Sequence, residues 1–199
     1  MITKSGTNDF HGALFEYLRN NKLDARNFFD AQRAPLRLNQ YGGSIGGPIK
    51  KDKAFFFASI EALEQRAGIN LISTVPSQAA RARAVPSIRP LLDVFPNGSP
   101  SSNPDLDIAS VSASTAVSEY YGGVRFDYSF NPKYTLTARY FRDQGEFRSP
   151  LDVSGSVQRV YANPQNGVVS LQQTLSPSIL NETSSDSMGR PASTESRPA

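Results

Sequence analysis

A near-complete alternation of apolar and polar residues over positions 119–146, interrupted on its polar side by Phe141, constrains the fold of this chain more than any other feature. One face of its first half carries Tyr120, Gly122, Val124, Phe126, Tyr128 and Phe130, and the other carries Glu119, Tyr121, Gly123, Arg125, Asp127 and Ser129. After the turn Asn131-Pro132-Lys133 the pattern resumes, with Tyr134, Leu136, Ala138 and Tyr140 against Thr135, Thr137, Arg139 and Asp143. A period of two residues is that of a β-strand with two unlike faces. Because tilted strands of about 10 residues cross the hydrocarbon layer of a bilayer, the pattern predicts a membrane-spanning β-hairpin.

Other parts of the chain repeat this pattern more weakly. Strand character recurs at residues 10–18, 39–48, 54–65 and 166–175, and a seventh strand begins at Ile179 and dissolves into Ser, Pro, Thr and Glu. Hydrophobic residues make up 38% of the chain, and 14 Gly and 14 Pro favour turns over a large helical core. The sequence contains no run of about 18 apolar residues, so it predicts no transmembrane helix. The N-terminus lacks the apolar region of a signal peptide, which fits a cytosolic protein or equally a chain whose true beginning is missing.

The connections between the predicted strands alternate in length. Residues 19–38, 66–118 and 147–165 are long connections, whereas 49–53, 131–133 and 176–178 are short. Bacterial outer-membrane barrels alternate short periplasmic turns with long extracellular loops, and a soluble sandwich has no reason to do so. Within the longest connection, residues 77–85 and 87–95 predict short helices, and residues 96–118 predict mobile chain.

Residue types that often serve in catalysis or ligand binding do not combine in this sequence into a catalytic, cofactor or metal site. The glycine-rich run at 42–48 lacks the Gly-Lys-Ser/Thr of a phosphate loop, and Pro48 prevents the helix that a dinucleotide site needs, so it predicts a bent strand. His11 is the only histidine and there is no cysteine, which leaves an ordinary strand histidine. Glu61 and Glu64 differ by three positions and therefore point to opposite faces of their strand. We expect no enzyme activity.

Charged residues are better explained by the strand faces than by a nucleic-acid partner. Five of them are predicted on the inward face, where they can pair across strands: Glu16, Arg125, Asp127, Arg139 and Asp143. The remaining basic groups have no interleaved stacking aromatics and are interpreted as solvated: Lys50, Lys51 and Lys53 in a turn, and Arg81, Arg83 and Arg89 in the long loop. With 21 basic and 18 acidic residues interspersed, the chain is not expected to bind nucleic acid.

Specific sequence runs add a family resemblance to this pattern. Residues 2–12, ITKSGTNDFHG, closely resemble the plug-to-barrel junction of TonB-dependent outer-membrane receptors. The Oar-like subgroup of these receptors, common in acidobacteria, is similar in the runs LDARNFFD at 23–30, NQYGGSIGGPI at 39–49, KDKAFFF at 51–57, GGVRFDY at 122–128 and LSPSILNE at 175–182. The resemblance spans about residues 1–183.

The resemblance implies a 22-stranded barrel around a plug that takes up a scarce ligand with energy delivered through TonB. We therefore expect an all-β chain: part of an antiparallel up-and-down transmembrane barrel in the Gram-negative outer membrane, with about six to seven strands. Residues 1–9 are expected to be the plug-to-barrel junction, residues 10–183 a partial barrel, and residues 184–199 a disordered or frameshifted tail. The partners implied are outer-membrane lipid and an unidentified ligand, with TonB and the plug only in the full-length receptor. Two alternatives stay open at this stage, a soluble adhesin-like or binding module and a non-functional gene remnant.

Overall fold

Strands in which apolar and polar residues alternate make up almost all of the regular secondary structure. The computed structural model describes residues 4–25, 33–189 and 193–197. Its strands and helices are β1 His11–Asn20, β2 Leu36–Lys50, β3 Ala54–Pro76, α1 Gln78–Arg83, α2 Arg89–Leu92, β4 Ser99–Pro100, β5 Leu106–Asn131, β6 Tyr134–Pro150, β7 Val157–Ala162, β8 Gln165–Ser176, β9 Ile179–Met188 and β10 Ser193–Arg197. Within those residues no helix is long and apolar enough to span a membrane.

Every pairing in the sheet is antiparallel, and the long strands follow one another in chain order. β1 pairs with β2, β2 with β3, β3 with β5, and β5 with β6. Strands β7 and β8 lie end to end along β6, and β9 and β10 continue next to them. In the described residues, β1 and β9 do not pair with each other, so the sheet is open. This meander confirms the predicted up-and-down, antiparallel fold class.

The predicted short turns and the first two long connections are present, but the predicted long connection at 147–165 is wrong. Strand β6 continues to Pro150 and β7 spans Val157–Ala162, so only residues 151–156 and 163–164 connect strands there. Short turns join β2 to β3, β5 to β6 and β8 to β9. In the first of them Asp52 has a positive φ of 61°, a conformation that Asp tolerates in turns. The long connections emerge at the opposite end of the sheet. The predicted helices are present as the shorter α1 and α2.

The prediction of a loop over residues 66–118 is wrong at both of its ends. Strand β3 continues to Pro76 and β5 begins at Leu106, and the two pair without a break from Ala54–Tyr128 to Pro76–Leu106. We call the part formed by residues 66–76 and 106–118 the outer hairpin. Its small residues, rich in Ser and Ala, concealed the alternation that Leu71, Val75, Ala109 and Val111 supply on one side. Residues 77–105 form the actual connection.

Part of the predicted tail forms strands, and its residues 190–192 and 198–199 lie outside the described residues. Residues 184–188 belong to β9 and residues 193–197 form β10, where the composition predicts irregular chain. The backbone can complete its hydrogen bonds there by pairing with β8 and β7, which does not require apolar side chains. Both faces of β9 are polar over residues 181–187.

The sheet buries very few apolar side chains. The buried hydrophobic residues are Ala54, Ala62, Val75, Ala109 and Val153. Three of these, Val75, Ala109 and Val153, form a small core in the outer hairpin, against which Leu71, Phe95 and Val111 pack. Elsewhere large hydrophobic side chains are exposed, as for Leu14 at 91% and Ile60 at 68%.

Candidate functional surfaces

The strand register sorts the side chains onto two unlike faces. Val124 lies opposite Ala58 on β3 and Tyr140 on β6, and Ala58 lies opposite Ile45 on β2. We call this side the apolar face, which carries Leu14, Tyr41, Ile45, Ala58, Ile60, Tyr120, Val124, Tyr140 and Val169. The polar face carries Gln40, Ser59, Glu61, Arg125, Asp127, Thr137, Arg139, Asp143 and Ser170. The sheet is therefore amphipathic across several strands.

Asp127 is the best-connected group of the polar face. Its side chain is 10% exposed, and it accepts hydrogen bonds from Nε and Nη2 of Arg125, each at 2.8 Å. The hydroxyls of Thr137 and Ser5 each donate to it at 2.7 Å. A buried carboxylate is stable only when paired and hydrogen-bonded, and these donors come from β5, β6 and the segment before β1. The carboxylate thus joins three parts of the chain.

Four of the five charged residues predicted on the inward face lie together on the polar face: Arg125, Asp127, Arg139 and Asp143. The prediction for Glu16 is wrong. Glu16 lies opposite Tyr41, which itself lies opposite Ala62, so its side chain belongs to the apolar face. Glu16 is exposed there, between Leu14 and Leu18 on the edge strand. The ion pair of Arg125 with Asp127 runs along β5 rather than across strands.

The segment before β1 is fastened to the end of the sheet that carries the short turns. Asn8 donates to the carboxylate of Asp52, and the backbone N–H of Asp52 donates to the side-chain oxygen of Asn8 at 2.8 Å. The ring of Phe10 lies 6.2 Å from the ring of Phe56 and against Gly47, where a side chain would clash with it. Residues 4–10 are therefore held by contacts with β2, β3, β5 and the first turn.

The remaining candidate residues have structural surroundings. The glycine-rich run at 42–48 is part of β2, as predicted. Glu61 and Glu64 point to opposite faces, also as predicted: Glu61 accepts from Gln40 at 2.6 Å, and Glu64 accepts from the Tyr120 hydroxyl at 2.8 Å. His11 is exposed at the start of β1. No group of three His, Cys, Asp or Glu residues suited to a metal occurs in the part of the chain that the structure describes.

The longest connection is tied down against the outer hairpin. Arg81 donates to three carbonyl oxygens, those of Pro76 at 3.0 Å, Phe95 at 3.0 Å and Pro96 at 2.9 Å. Ser77 is buried, caps α1 by accepting from the Ala80 N–H, and donates to the Pro104 carbonyl at 2.8 Å. Sequence reasoning treated Arg81 as a solvated loop residue, because nothing local in the sequence marks its distant acceptors.

A second contact between loop and hairpin comes from the turn after β6. Val153 is 6% exposed and packs in the small core of the outer hairpin. Next to it, the backbone N–H of Ser154 donates to Asp152 at 2.7 Å, and the Ser154 hydroxyl also donates to that carboxylate. These hydrogen bonds hold the pKa of Asp152 below its usual value.

Sequence reasoning missed a basic cleft where the apolar face meets the outer hairpin. Arg37 lies directly opposite Arg66, and Arg148 lies two strands further along the same register row, beyond Ala116. These side chains line a cavity of about 430 Å³, with Glu64 and Glu146 among its other walls. Arg148 donates to the carboxylate of Glu146. The three arginines are far apart in sequence, so only the register reveals the cleft.

Comparisons with known proteins agree with this geometry. The outer membrane beta barrel domain family matches residues 2–87. The TonB-dependent transporter Oar of Myxococcus xanthus is 35% identical over 65 residues, which cover 29% of this chain and 6% of that protein. The chain thus spans about 6% of the length of this curated relative. No solved structure matches the chain.

Together with the sheet, these matches support a barrel-type outer-membrane protein. The predicted outer-membrane localisation is confirmed by the domain family and by the transporter relative. The likeness to a transporter favours a transport or structural role over an enzymatic one.

Proposed function

We propose that this chain forms part of the wall of a TonB-dependent, Oar-like receptor that takes up an unidentified ligand through the outer membrane. The wall places the apolar face against lipid and the polar face toward the lumen. The chain does not transport by itself in this proposal, because six or seven strands do not enclose a pore of the kind that such receptors need. It acts with a plug, with TonB and with further strands.

The observation that carries the proposal is the exposed band of apolar side chains on one face. On β5 the band runs from Tyr128 to Tyr120, a span of eight residue steps, or roughly 26 Å at about 3.3 Å per step. With the strand tilt of about 40° usual in such barrels, this gives a height of roughly 20 Å, close to the apolar band of about 25 Å in known barrels. Exposure of Leu14, Ile60 and Val124 together to water would be unfavourable in free energy, whereas contact with lipid is not.

Aromatic residues border this band, which further supports contact with lipid. Phe10, Phe56, Phe126, Tyr128 and Phe130 gather near the short turns, and three ring pairs among them lie within 6.4 Å. At the other border the hydroxyls of Tyr120 and Tyr140 donate to polar side chains, Glu64 and Gln165, each at 2.8 Å. Aromatic rings with one apolar and one polar end favour the boundary between lipid and water.

Two adjacent residues provide a direct test of the wall. The chain has no cysteine, so single cysteines at Val124 and Arg125 give clean spin-label sites on opposite faces at one height. In outer membranes we expect a label at 124 to collide with dissolved oxygen, which concentrates in lipid, and a label at 125 to be shielded from it. Equal accessibility to a water-soluble nickel reagent at both sites would instead support the soluble binding module.

The transport step needs a separate measurement. Cells with and without the gene would be compared for accumulation of labelled nutrients, each with intact and with deleted TonB. A nutrient whose accumulation requires both the gene and TonB is the expected result. Accumulation that depends on the gene and is unchanged without TonB would contradict the proposed energy source while leaving the barrel wall intact.

A further inference from the structure

The basic cleft contains an arrangement that is unfavourable unless an anion is present. Arg37 and Arg66 lie directly opposite each other on neighbouring strands, and both side chains are exposed. Like charges in directly opposed cross-strand positions destabilise a sheet. Neither arginine forms an ion pair within residues 4–25, 33–189 and 193–197, where the structure is described. The pair therefore lacks an internal counter-ion there.

The acidic groups of the cleft offset only part of the charge of this pair, since Glu64 is a single carboxylate against two arginines. Glu146 is occupied by Arg148, and Glu64 accepts from the Tyr120 hydroxyl. The cleft thus has three arginines and two carboxylates along its walls, and one of those carboxylates is already paired. Its net positive charge is complementary to a phosphate group, which arginine binds with two parallel hydrogen bonds.

The position of the cleft decides which anion it meets. Nearly all of its lining residues belong to the apolar face: Arg37, Asn39, Glu64, Arg66, Ala116, Ser118, Tyr120, Glu146 and Arg148. A ligand in the lumen would meet the other side of the sheet. The cleft instead opens toward the surroundings of the barrel, on the side of the long connections.

The height of the cleft fits a lipid headgroup. Arg37 and Arg66 each lie four residues beyond the last apolar-band position of their strand, Tyr41 and Ala62. Four residues rise roughly 10 Å in a strand tilted by about 40°. The headgroup region extends about 5–8 Å beyond the hydrocarbon on each side. Flexible arginine side chains that bend back toward the membrane bring their guanidinium groups to this level.

We propose that the cleft binds the phosphorylated headgroup of an anionic lipid in the outer leaflet of the outer membrane. Arg37 and Arg66 hold the phosphate, which relieves their mutual repulsion, and the ion pair of Arg148 with Glu146 forms the next wall. This inference rests on the proposed function, since it requires the apolar face to contact lipid. It assigns to the outer surface of the wall a recognition site that is separate from uptake of the ligand.

The test measures protein stability and lipid binding in two kinds of vesicle. The natural protein and R37Q/R66Q are reconstituted into phosphatidylcholine vesicles with lipid A or with its dephosphorylated form. The variant K50Q/K51Q, which removes two charges from the opposite end of the sheet, is the matched control. At about 1 kcal/mol per basic residue near an anionic surface, we expect R37Q/R66Q to bind lipid A on the order of 30-fold more weakly. The control and the natural protein should bind alike.

A second readout separates loss of binding from loss of folding. In vesicles without phosphorylated lipid, R37Q/R66Q should unfold at the same or a higher urea concentration than the natural protein, because the like-charge pair is gone. Equal binding of lipid A by R37Q/R66Q and the natural protein would overturn the inference. So would equal binding of the dephosphorylated lipid, or displacement of lipid A by inorganic phosphate alone at matched concentration.

Spin labels at positions 124 and 125 in the same vesicles keep this failure distinct from failure of the proposed function. If the label at Val124 does not contact lipid, the barrel wall itself is wrong. If the label contacts lipid while lipid binding does not depend on the headgroup phosphate, the proposed barrel wall is supported and only the headgroup site is refuted.

Discussion

Replacement of Asp127 by Ala should destabilise the sheet more than any other single loss of a charge on its polar face. The substitution removes the acceptor for two bonds from Arg125 and one each from Thr137 and Ser5. Removing one partner of a buried ion pair costs about 3–5 kcal/mol. Because the side chain of Arg125 is 22% exposed and can be partly hydrated, we expect the lower end of this range, about 3 kcal/mol.

Graded variants show where this free energy arises. Asp127→Asn keeps the shape and one acceptor oxygen, so its cost should be roughly half as large, about 1.5 kcal/mol. Ser5→Ala removes one hydrogen bond to a charged group and should cost about 1.5 kcal/mol. In a double-mutant cycle, Ser5 and Asp127 should show a coupling energy of about 1 kcal/mol, because most of the effect of Ser5→Ala disappears once its acceptor Asp127 is absent.

The assay is urea unfolding of the protein in lipid vesicles, followed by the circular dichroism of the β-sheet. Asp93→Ala is the control, since Asp93 is exposed in the long connection and a surface change of this kind costs within about 0.5 kcal/mol. If Asp127→Ala unfolds at the same urea concentration as this control, the three-way contact at Asp127 does not stabilise the protein, and the reasoning from its geometry is refuted.

Three further predictions address the apolar face, the long connection and the turn after β6. Val124→Lys should cost about 2–4 kcal/mol in vesicles by urea unfolding, whereas Ser59→Lys on the polar face should change little; equal costs would contradict the two-faced wall. Arg81→Ala removes donors to three carbonyls and should speed chymotrypsin cleavage of the long connection several-fold, with unchanged cleavage as the contrary result. The lowered pKa of Asp152 means that its carboxylate stabilises the turn above the usual carboxyl pKa of about 3.9 and loses this effect as the pH falls through the folded value. The protection factor of the Ser154 amide, which is its exchange rate corrected for the intrinsic pH dependence of amide exchange, should therefore fall in acid. A protection factor that rises as the pH falls would have the wrong sign.

Local pattern was sufficient to predict the central hairpin and the three short turns. The period of two residues assigns Val124 and Arg125 to opposite faces of their strand. The run Asn131-Pro132-Lys133 marks the turn between the two strands of the hairpin. The outer hairpin was not predicted, because its strands have small residues and gain their apolar contacts from Val153 and Phe95, which are distant in sequence. Pairing with a long partner strand, rather than intrinsic preference, makes these residues a sheet.

Register explains the two other differences between prediction and structure. Glu16 was assigned to the inward face by its charge, but a strand on the edge of the sheet can expose a carboxylate beside Leu14 and Leu18. The basic cleft depends on a row that joins Arg37, Arg66 and Arg148 across strands β2 to β6. No spacing within one segment encodes such a row, so a single sequence cannot reveal it without the pairing.

In the proposed receptor, the outer hairpin extends the surface that an approaching ligand would meet. Residues 106–118 add roughly 40 Å of strand beyond the apolar band at about 3.3 Å per residue, or roughly 30 Å of height at the usual tilt. Its small core and the three carbonyl contacts of Arg81 hold the long connection on this sheet. A ligand that approaches the barrel would therefore meet an ordered surface, which loses less conformational entropy on binding than a mobile loop does. Because Val75 is fully buried in that core, Val75→Ala should loosen the surface without altering the membrane-spanning rows, which separates ligand capture from wall assembly.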